Sequence, residues 1–320
     1  MTAPLDRFLE SHPDAAAAWY PALARVVGRV LTVPGLTMWR PLARRVDAVA
    51  QPAGWTTVLS VPTTPPPAGR AALTVLSANL WHDWPRRHRW TERLDAVASL
   101  IEAEGVDIVL LQEVARTAGL QADRRLAARL GFALAFARTN GSVDAVGFEE
   151  GLAVLSRFPI AEVRLRQLSS SPNPLVRRVA LAVEVATPLG PVLAVTTHLG
   201  LAERHNARQI RVLRSWVTEL AGGAVAVIGG DFNAEEHAAE MIRTRRDWVD
   251  AFREVHPEAA SSTHTSRGVW GRWRGDRVLD YVFVLQPTAV AWTVRHARHV
   301  DAPGGAHSDH RAVLVTVAPA

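Results

Sequence analysis

One event recurs along this chain and limits what it can fold into. An apolar run of strand length stops at a polar residue able to bind a cation or move a proton. Residues 225–228 run into Gly229-Gly230-Asp231-Phe232-Asn233, residues 73–78 stop at Asn79, residues 106–112 at Glu113, and residues 192–197 at His198. Leu279-Asp280-Tyr281 opens a further apolar run, and His307-Ser308-Asp309-His310 precedes the last one. A short apolar run broken by glycine reads as a buried strand. Side chains two apart on extended chain share a side, so Asp231 and Asn233 point the same way. Any one of these ends is equally a strand-capping turn. Together they imply strands whose ends share one rim.

Between these runs the periodicity changes. Trp90, Leu94, Val97 and Ile101 recur at helical spacing, as do Leu126 with Leu130, and Ile210, Leu213, Val217 and Leu220. Short strands are predicted at 133–137, 151–155, 179–186, 192–198, 278–285, 289–294 and 312–317, with a hairpin turn at Thr187-Pro188-Leu189-Gly190-Pro191. Strands alternate with helices in places and follow one another directly in others. That mixture excludes a simple doubly wound sheet and an all-β sandwich. It fits two mixed sheets packed face to face with helices outside.

Composition narrows the chemistry. The 320 residues, 48% hydrophobic, are those of a globular chain, and with Cys 0 any metal must be held by oxygen and imidazole. Hard oxygen ligands suit Mg²⁺ or Mn²⁺. Lysine is absent, so all 36 basic residues are arginine, spread along the chain at a net charge of +5; an anionic substrate is allowed and a dedicated nucleic-acid tract is not indicated. No apolar run is long enough to span a membrane, and the start Met-Thr-Ala-Pro-Leu-Asp-Arg does not read as a secretory signal, so a cytoplasmic location is expected.

Residues 1–60 differ from the rest. Trp19, Leu23, Val26, Val27, Val30 and Leu31 recur at helical spacing, Pro34-Gly35 interrupts, and Leu36, Trp39, Leu42 and Val46 resume with arginines alongside. The expectation is a helical extension, either docked on the main domain or held on an anionic membrane or a partner. Residues 61–70 read as a proline-rich linker and 71–320 as the main domain.

The motifs Ser77-Ala78-Asn79, Leu111-Gln112-Glu113, Thr197-His198-Leu199, Gly230-Asp231-Phe232-Asn233, Leu279-Asp280-Tyr281 and Ser308-Asp309-His310, in this order, resemble the endonuclease/exonuclease/phosphatase superfamily of deoxyribonuclease-like metal phosphoesterases. The resemblance covers roughly residues 72–318. It implies an α/β (α+β) four-layer sandwich and a Mg²⁺- or Mn²⁺-dependent phosphoester hydrolase acting on a nucleic acid, a phospholipid or an inositol phosphate. It implies Glu113 as the principal metal ligand, with Asn79 and Asp309 as direct or water-mediated partners. Asp231 would activate the attacking water, Asn233 would hold a phosphate oxygen, and His310, oriented by Asp280, would contact the phosphoryl group. His198 in Thr-Thr-His-Leu resembles the deoxyribonuclease, sphingomyelinase and inositol-phosphatase branches and departs from the abasic-site endonucleases. Glu150 would orient His198, with Glu149 as the competing register, and Arg178 would neutralise phosphate, with Arg177 competing. His264 and Thr265 lie where a ring or hydroxyl meets the phosphate in this family.

Trp270-Gly271-Arg272-Trp273-Arg274 precedes the Asp280 strand. Trp270 and Arg272 are therefore expected in a loop at the mouth of the site, either stacking on bases or gripping lipid phosphates, or packing locally. A weakly catalytic binding module of the same fold is the competing reading, and the intact set from Asn79 to His310 argues against it.

Overall fold

The computed structural model describes residues 56–65, 69–83, 87–143, 147–169, 177–267, 273–286, 289–303 and 307–320. The helices expected in residues 1–55, together with Trp270 and Arg272, lie outside these residues.

Two mixed sheets pack face to face. The first holds seven strands in the order β1 (Thr56–Leu59), β4 (Ala133–Ser142), β5 (Phe148–Ser156), β3 (Ile108–Arg116), β2 (Leu73–Asn79), β15 (Ala312–Pro319) and β14 (Trp292–Val300). The second holds six: β10 (Val249–Asp250), β13 (Asp280–Leu285), β9 (Ala226–Asp231), β8 (Gly190–His198), β7 (Arg178–Thr187) and β6 (Ile160–Ser169). A small pair, β11 (His264–Arg267) with β12 (Trp273–Arg277), stands beside them.

Leu73, Val75, Ile108 and Leu110 of one sheet meet Leu181, Val183, Val227 and Val282 of the other in a fully buried central layer. The first sheet's outer face is covered by α1 (Trp90–Ala103) and α2 (Ala122–Leu130), through Leu94, Val97, Ile101 and Leu126. The outer face of the second is covered by α3 (Glu203–Ala221), through Ile210, Leu213 and Val217, with α4 (Ala239–Asp247) adding Met241. These are the four layers that apolar stripes of period 3.6 and runs of period 2 require when each must find a partner.

The topology puts the polar strand ends on one rim. β2 and β3 are parallel, with Asn79 opposite Gln112, and β8 and β9 are parallel, with His198 opposite Asp231. α1 and α3 make the crossovers. β13 and β15 run antiparallel to these pairs, so their starts lie where the others end: Asp280 faces Asp231, and His310 sits just before β15.

Close approach is needed below that rim. A Cβ on Gly230 would lie 2.2 Å from the Thr197 carbonyl oxygen, and one on Gly229 would lie 2.7 Å from Leu110 of the facing sheet. Gly230→Ala therefore has to push the backbone of β8 aside. It should cost about 1–3 kcal/mol in urea unfolding; an unchanged midpoint would show that the strands can part freely.

Some sequence expectations shift. β1 falls within the stretch assigned to the extension and pairs along its length with β4, so the sheet begins before the boundary drawn at residue 60. Within the linker, the Thr63 and Thr64 amides both donate to the Gly131 carbonyl, at 3.0 and 3.2 Å. The strand expected at 289–294 runs over Trp292–Val300 instead, and β6, α4 and the short α5 (Ala251–Val255) were not anticipated. No helix among the described residues is long and apolar enough to cross a membrane.

Candidate active site

Asp231 is the centre of the rim. It ends β9 and is buried, and its Oδ1 accepts the Asn233 backbone N–H at 2.9 Å. Its Oδ2 accepts from Asn79 Nδ2 at 3.2 Å and lies 3.5 Å from His198 Nε2 and 3.9 Å from His310 Nε2. Groups from β2, β8, β9 and the segment before β15 thus meet at one carboxylate.

Glu113 reaches the same place through a local irregularity. The pairing of β3 with β5 breaks between Leu111 and Val114, a bulge that turns Glu113 off the strand with φ at 51°. Asn233 has φ at 48°. Left-handed backbone is uncommon for non-glycine residues and concentrates where geometry is imposed for function. Asn79 Nδ2 donates to Glu113 Oε1 at 3.1 Å, while its own Oδ1 accepts the Trp81 amide at 2.9 Å. Because a backbone N–H can only donate, the carboxamide orientation is fixed. Asn79 is a donor bridging Glu113 and Asp231.

His310 is oriented from behind. Its Nδ1 lies 2.7 Å from Asp280 Oδ2, leaving Nε2 toward Asp231. Asp280 is held by its amide, which donates to Thr263 Oγ1 at 3.1 Å, and the nearby Arg277 binds Glu235 at 2.8 Å. Asp309 lies beside His310 at the solvent side, its Oδ1 accepting from Ser308 Oγ at 3.3 Å.

The charges follow from burial and neighbours. Burial first, then the charges of Asp280 and Glu113, push the Asp231 carboxyl up to about 7, against the opposing charge of His310. Burial works against a charge on His310, but the carboxylates of Asp280, Asp231 and Asp309 outweigh it and raise the ring to about 10. His198 is held well below the ordinary histidine value by burial and by Arg178, His310 and His82, so it is neutral. Its contact with Asp231 is that of an imidazole and a carboxyl, not an ion pair.

Glu150 does not orient His198: the buried His198 Nδ1 has no hydrogen-bond partner. Glu150 Oε2 instead lies 3.6 Å from His82 Nε2 and accepts from Asn140 Nδ2 at 3.4 Å. His82 Nε2 is also 3.6 Å from Glu113 Oε2, so this ring stands between the two carboxylates. Glu149 lies toward Arg116 and Arg138, at 3.6 and 3.8 Å. Arg178 Nη1 donates to the His198 carbonyl at 3.4 Å, whereas the Arg177 amide donates to Asn140 Oδ1 at 2.8 Å. The Thr265 side chain lies outside the described residues.

Two supporting residues were not anticipated. Arg93, buried on α1, donates to the carbonyls of His88, Leu80, His307 and Trp81 at 2.9–3.0 Å, tying the loop after β2 to the segment before β15. Its sequence signal is a charge on a helix's apolar stripe, one position before Leu94. Gln112 Nε2 donates to Thr196 Oγ1 at 2.9 Å, joining the two sheets beneath the site. Arg93→Met leaves those carbonyls without a donor and should lower stability by about 3 kcal/mol, read by urea unfolding. Full stability would show that the loops hold themselves.

A cleft of ≈ 510 Å³ adjoins Asn233, lined in part by Glu203, Asn206, Glu235, His237 and Arg277.

Comparison with known proteins agrees with this fold. An uncharacterized protein of Escherichia coli K12, YbhP, is 38% identical over 85 residues, which span 26% of this chain and 33% of that protein. An endonuclease/exonuclease/phosphatase from Beutenbergia cavernae superposes with a TM-score of 0.61 at 24% identity, covering 78% of this chain and 72% of that one. The human Nocturnin catalytic domain with bound sulfate gives 0.62 at 21%, covering 83% and 97%. TDP2 from D. rerio, in complex with a single-strand DNA product, gives 0.63 at 16%, covering 78% and 99%. The pattern of the Endonuclease/Exonuclease/phosphatase family matches residues 76–310, from within β2 to His310. That span takes in every strand end gathered around Asp231, and the chain belongs to this family.

Proposed function

We propose that the chain is a divalent-metal-dependent phosphoester hydrolase, with phosphodiesters its best substrates. The observation that carries this reading is the Asp231 carboxyl, buried among Asn79, His198 and His310 and raised to about 7. A general base serves best when its pKa lies near the working pH.

The carboxylates fit a hard dication. Asp280 and Glu113 crowd Asp231 enough to hold back its ionisation, and a positive ion relieves that crowding. Glu113 and Asp309 would hold Mg²⁺ or Mn²⁺, with Asn79 keeping Glu113 in place. When bound, the ion supplies charge neutralisation at the phosphate oxygens and at the leaving oxygen.

The remaining steps belong to the chain. Asp231 takes the proton of the attacking water. Asn233 donates one amide hydrogen to the Leu199 carbonyl, at 3.0 Å, and has a second for a phosphate oxygen. His310 carries a proton on Nε2, because its Nδ1 is committed to Asp280, and donates it to the phosphoryl group as charge builds there. Neutral His198 packs against Asp231 and leaves that carboxyl able to accept a proton. Arg178 adds positive charge on the same side.

The cleft beside Asn233 would take the group flanking the phosphate. Its mixture of Glu203, Glu235, His237 and Arg277 suits a polar substituent. The bound sulfate in Nocturnin and the DNA product in TDP2 are ligands rich in anionic oxygen, in keeping with a phosphate-bearing substrate here. Nucleic acid, phospholipid and inositol phosphate share that phosphate chemistry.

The test is hydrolysis of bis-p-nitrophenyl phosphate and p-nitrophenyl phosphate by the purified chain with Mg²⁺, Mn²⁺ or EDTA. Metal-dependent release of nitrophenol, faster from the diester, is expected. Failure on both esters with either metal would overturn the reading. Plasmid DNA, RNA, sphingomyelin, phosphatidylinositol and inositol phosphates, assayed together, then assign the substrate.

A further inference from the structure

Arginines are spread along the sequence, but the two helices that cover the second sheet bring several of them to one surface. On α3, Arg204, Arg208 and Arg211 are exposed and follow one another at intervals of four and three. That spacing makes one stripe, on the side away from the buried Ile210, Leu213 and Val217. On α4, Arg243 and Arg246 are exposed beside Ile242. The two sets adjoin, because Arg211 and Arg243 both donate to Oε1 of the buried Glu240, at 2.9 and 2.6 Å.

Charge on this surface is not balanced. Among the described residues, Arg204, Arg208 and Arg246 have no hydrogen-bond or ion-pair partner. The exposed carboxylates of the two helices are Glu203, Glu219 and Asp247, and Asp247 is already bound by Arg214. On the opposite face of the molecule, Arg125 and Arg129 of α2 are instead paired with Asp95 and Glu102 of α1. Two large aliphatic side chains lie open within the basic surface: Ile242, 46% exposed, and Leu201, 78% exposed and just before α3. Leu201, Ala207, Ala239 and Glu240 also line the cleft beside Asn233, so this surface borders the mouth of the candidate site.

We propose that the outer face of α3 and α4 docks on an anionic phospholipid surface. A guanidinium binds phosphate as a planar fork, and each basic side chain near a bilayer of acidic lipids adds attraction. A nucleic acid also offers phosphates, but its bases are met by stacking aromatics or by polar groups that read base edges. The exposed large apolar side chains here are aliphatic, and an aliphatic group leaves water by entering the acyl boundary of a bilayer. Docked this way, the mouth of the cleft meets the lipid headgroups, so on the hydrolase reading a phospholipid is the substrate. The docking itself does not depend on that reading.

The test is co-sedimentation of the full-length protein with phosphatidylcholine vesicles, with and without phosphatidylglycerol, and it is read without any hydrolysis. Binding is expected only with the acidic lipid and should weaken as salt is added. The triple variant Arg204→Glu, Arg208→Glu, Arg246→Glu should bind about 10²-fold less tightly. The variant Arg124→Glu, Arg125→Glu, Arg129→Glu changes net charge equally on the opposite face and should bind much as the wild type does. Leu201→Ser with Ile242→Ser should lower vesicle affinity about 10-fold. Circular dichroism confirms folding; should the α3 and α4 reversal not fold, the three arginines are changed to glutamine under the same criteria. No binding to acidic vesicles, equal losses in the two charge-reversal variants, or binding indifferent to Leu201 and Ile242 would each overturn the proposal. Tighter binding to double-stranded DNA than to acidic vesicles at equal phosphate concentration would overturn it in favour of a nucleic acid.

Discussion

Asp280→Asn should lower turnover of a phosphodiester by about 10²–10⁴-fold while the protein remains folded. Asp280 is buried, with Oδ2 2.7 Å from His310 Nδ1 and its amide on Thr263 Oγ1. Asparagine keeps the shape and one acceptor oxygen, so stability should fall by no more than about 1–2 kcal/mol. What disappears is the charge. Burial alone would lower the pKa of His310, and Asp280 is the foremost of the carboxylates that raise the ring to about 10. Without it the imidazolium loses its proton at lower pH, so the basic limb of the pH–rate profile moves down. The amide can also turn its NH₂ toward Nδ1 and impose the opposite tautomer, which removes the proton from Nε2. Wild-type turnover with an unmoved basic limb would show that His310 is oriented by something else.

Glu113→Gln should raise the Mg²⁺ or Mn²⁺ concentration needed for half-maximal activity by about 10–100-fold, with kcat at saturating metal reduced less. Glu113 is held in place by Asn79 Nδ2 on Oε1 and by the His82 amide on Oε2, at 3.1 and 3.3 Å. The glutamine can keep one of these contacts while losing the charge that favours a hard cation. Thermal unfolding of the metal-free protein should be little changed or slightly raised, since removing Glu113 relieves repulsion at Asp231. An unchanged metal requirement would contradict Glu113 as a ligand.

Much of this site was legible because it depends on where strands end. The runs closing at Asn79, His198 and Asp231 end strands in parallel pairings that bring them to one rim, whereas the strand expected to stop at Glu113 continues to Arg116 and Glu113 joins the rim through its bulge. Asp280 and His310 begin strands instead of ending them, and antiparallel pairing carries them to the same place. The four layers followed in the same way from apolar stripes that each needed a cover.

What was not legible depends on contacts across the fold. His82 lies in a turn with no periodicity to mark it, and its position between Glu113 and Glu150 exists only once β2, β3 and β5 are side by side. The partner of Glu150 was misassigned for the same reason: the motif places the residue on a strand but does not say which ring meets it. Arg93 carried a signal, a charge within an apolar helical stripe, whose meaning appears only when four loop carbonyls surround it. β6 alternates Val163 and Leu165 with Glu162, Arg164 and Arg166, but its charges mask a strand whose other face is solvated. The bulge at Gln112–Glu113 is a property of strand pairing and has no marker in the local sequence.

The central claim is that Asp231 and His310 act on one phosphate with the help of a cation. Its most direct test is the Mg²⁺ dependence of bis-p-nitrophenyl phosphate hydrolysis by the wild type, Asp231→Ala and His310→Ala. The account predicts metal-activated turnover in the wild type and its loss, by about 10²-fold or more, in both variants. Metal-activated turnover that survives both substitutions would contradict it.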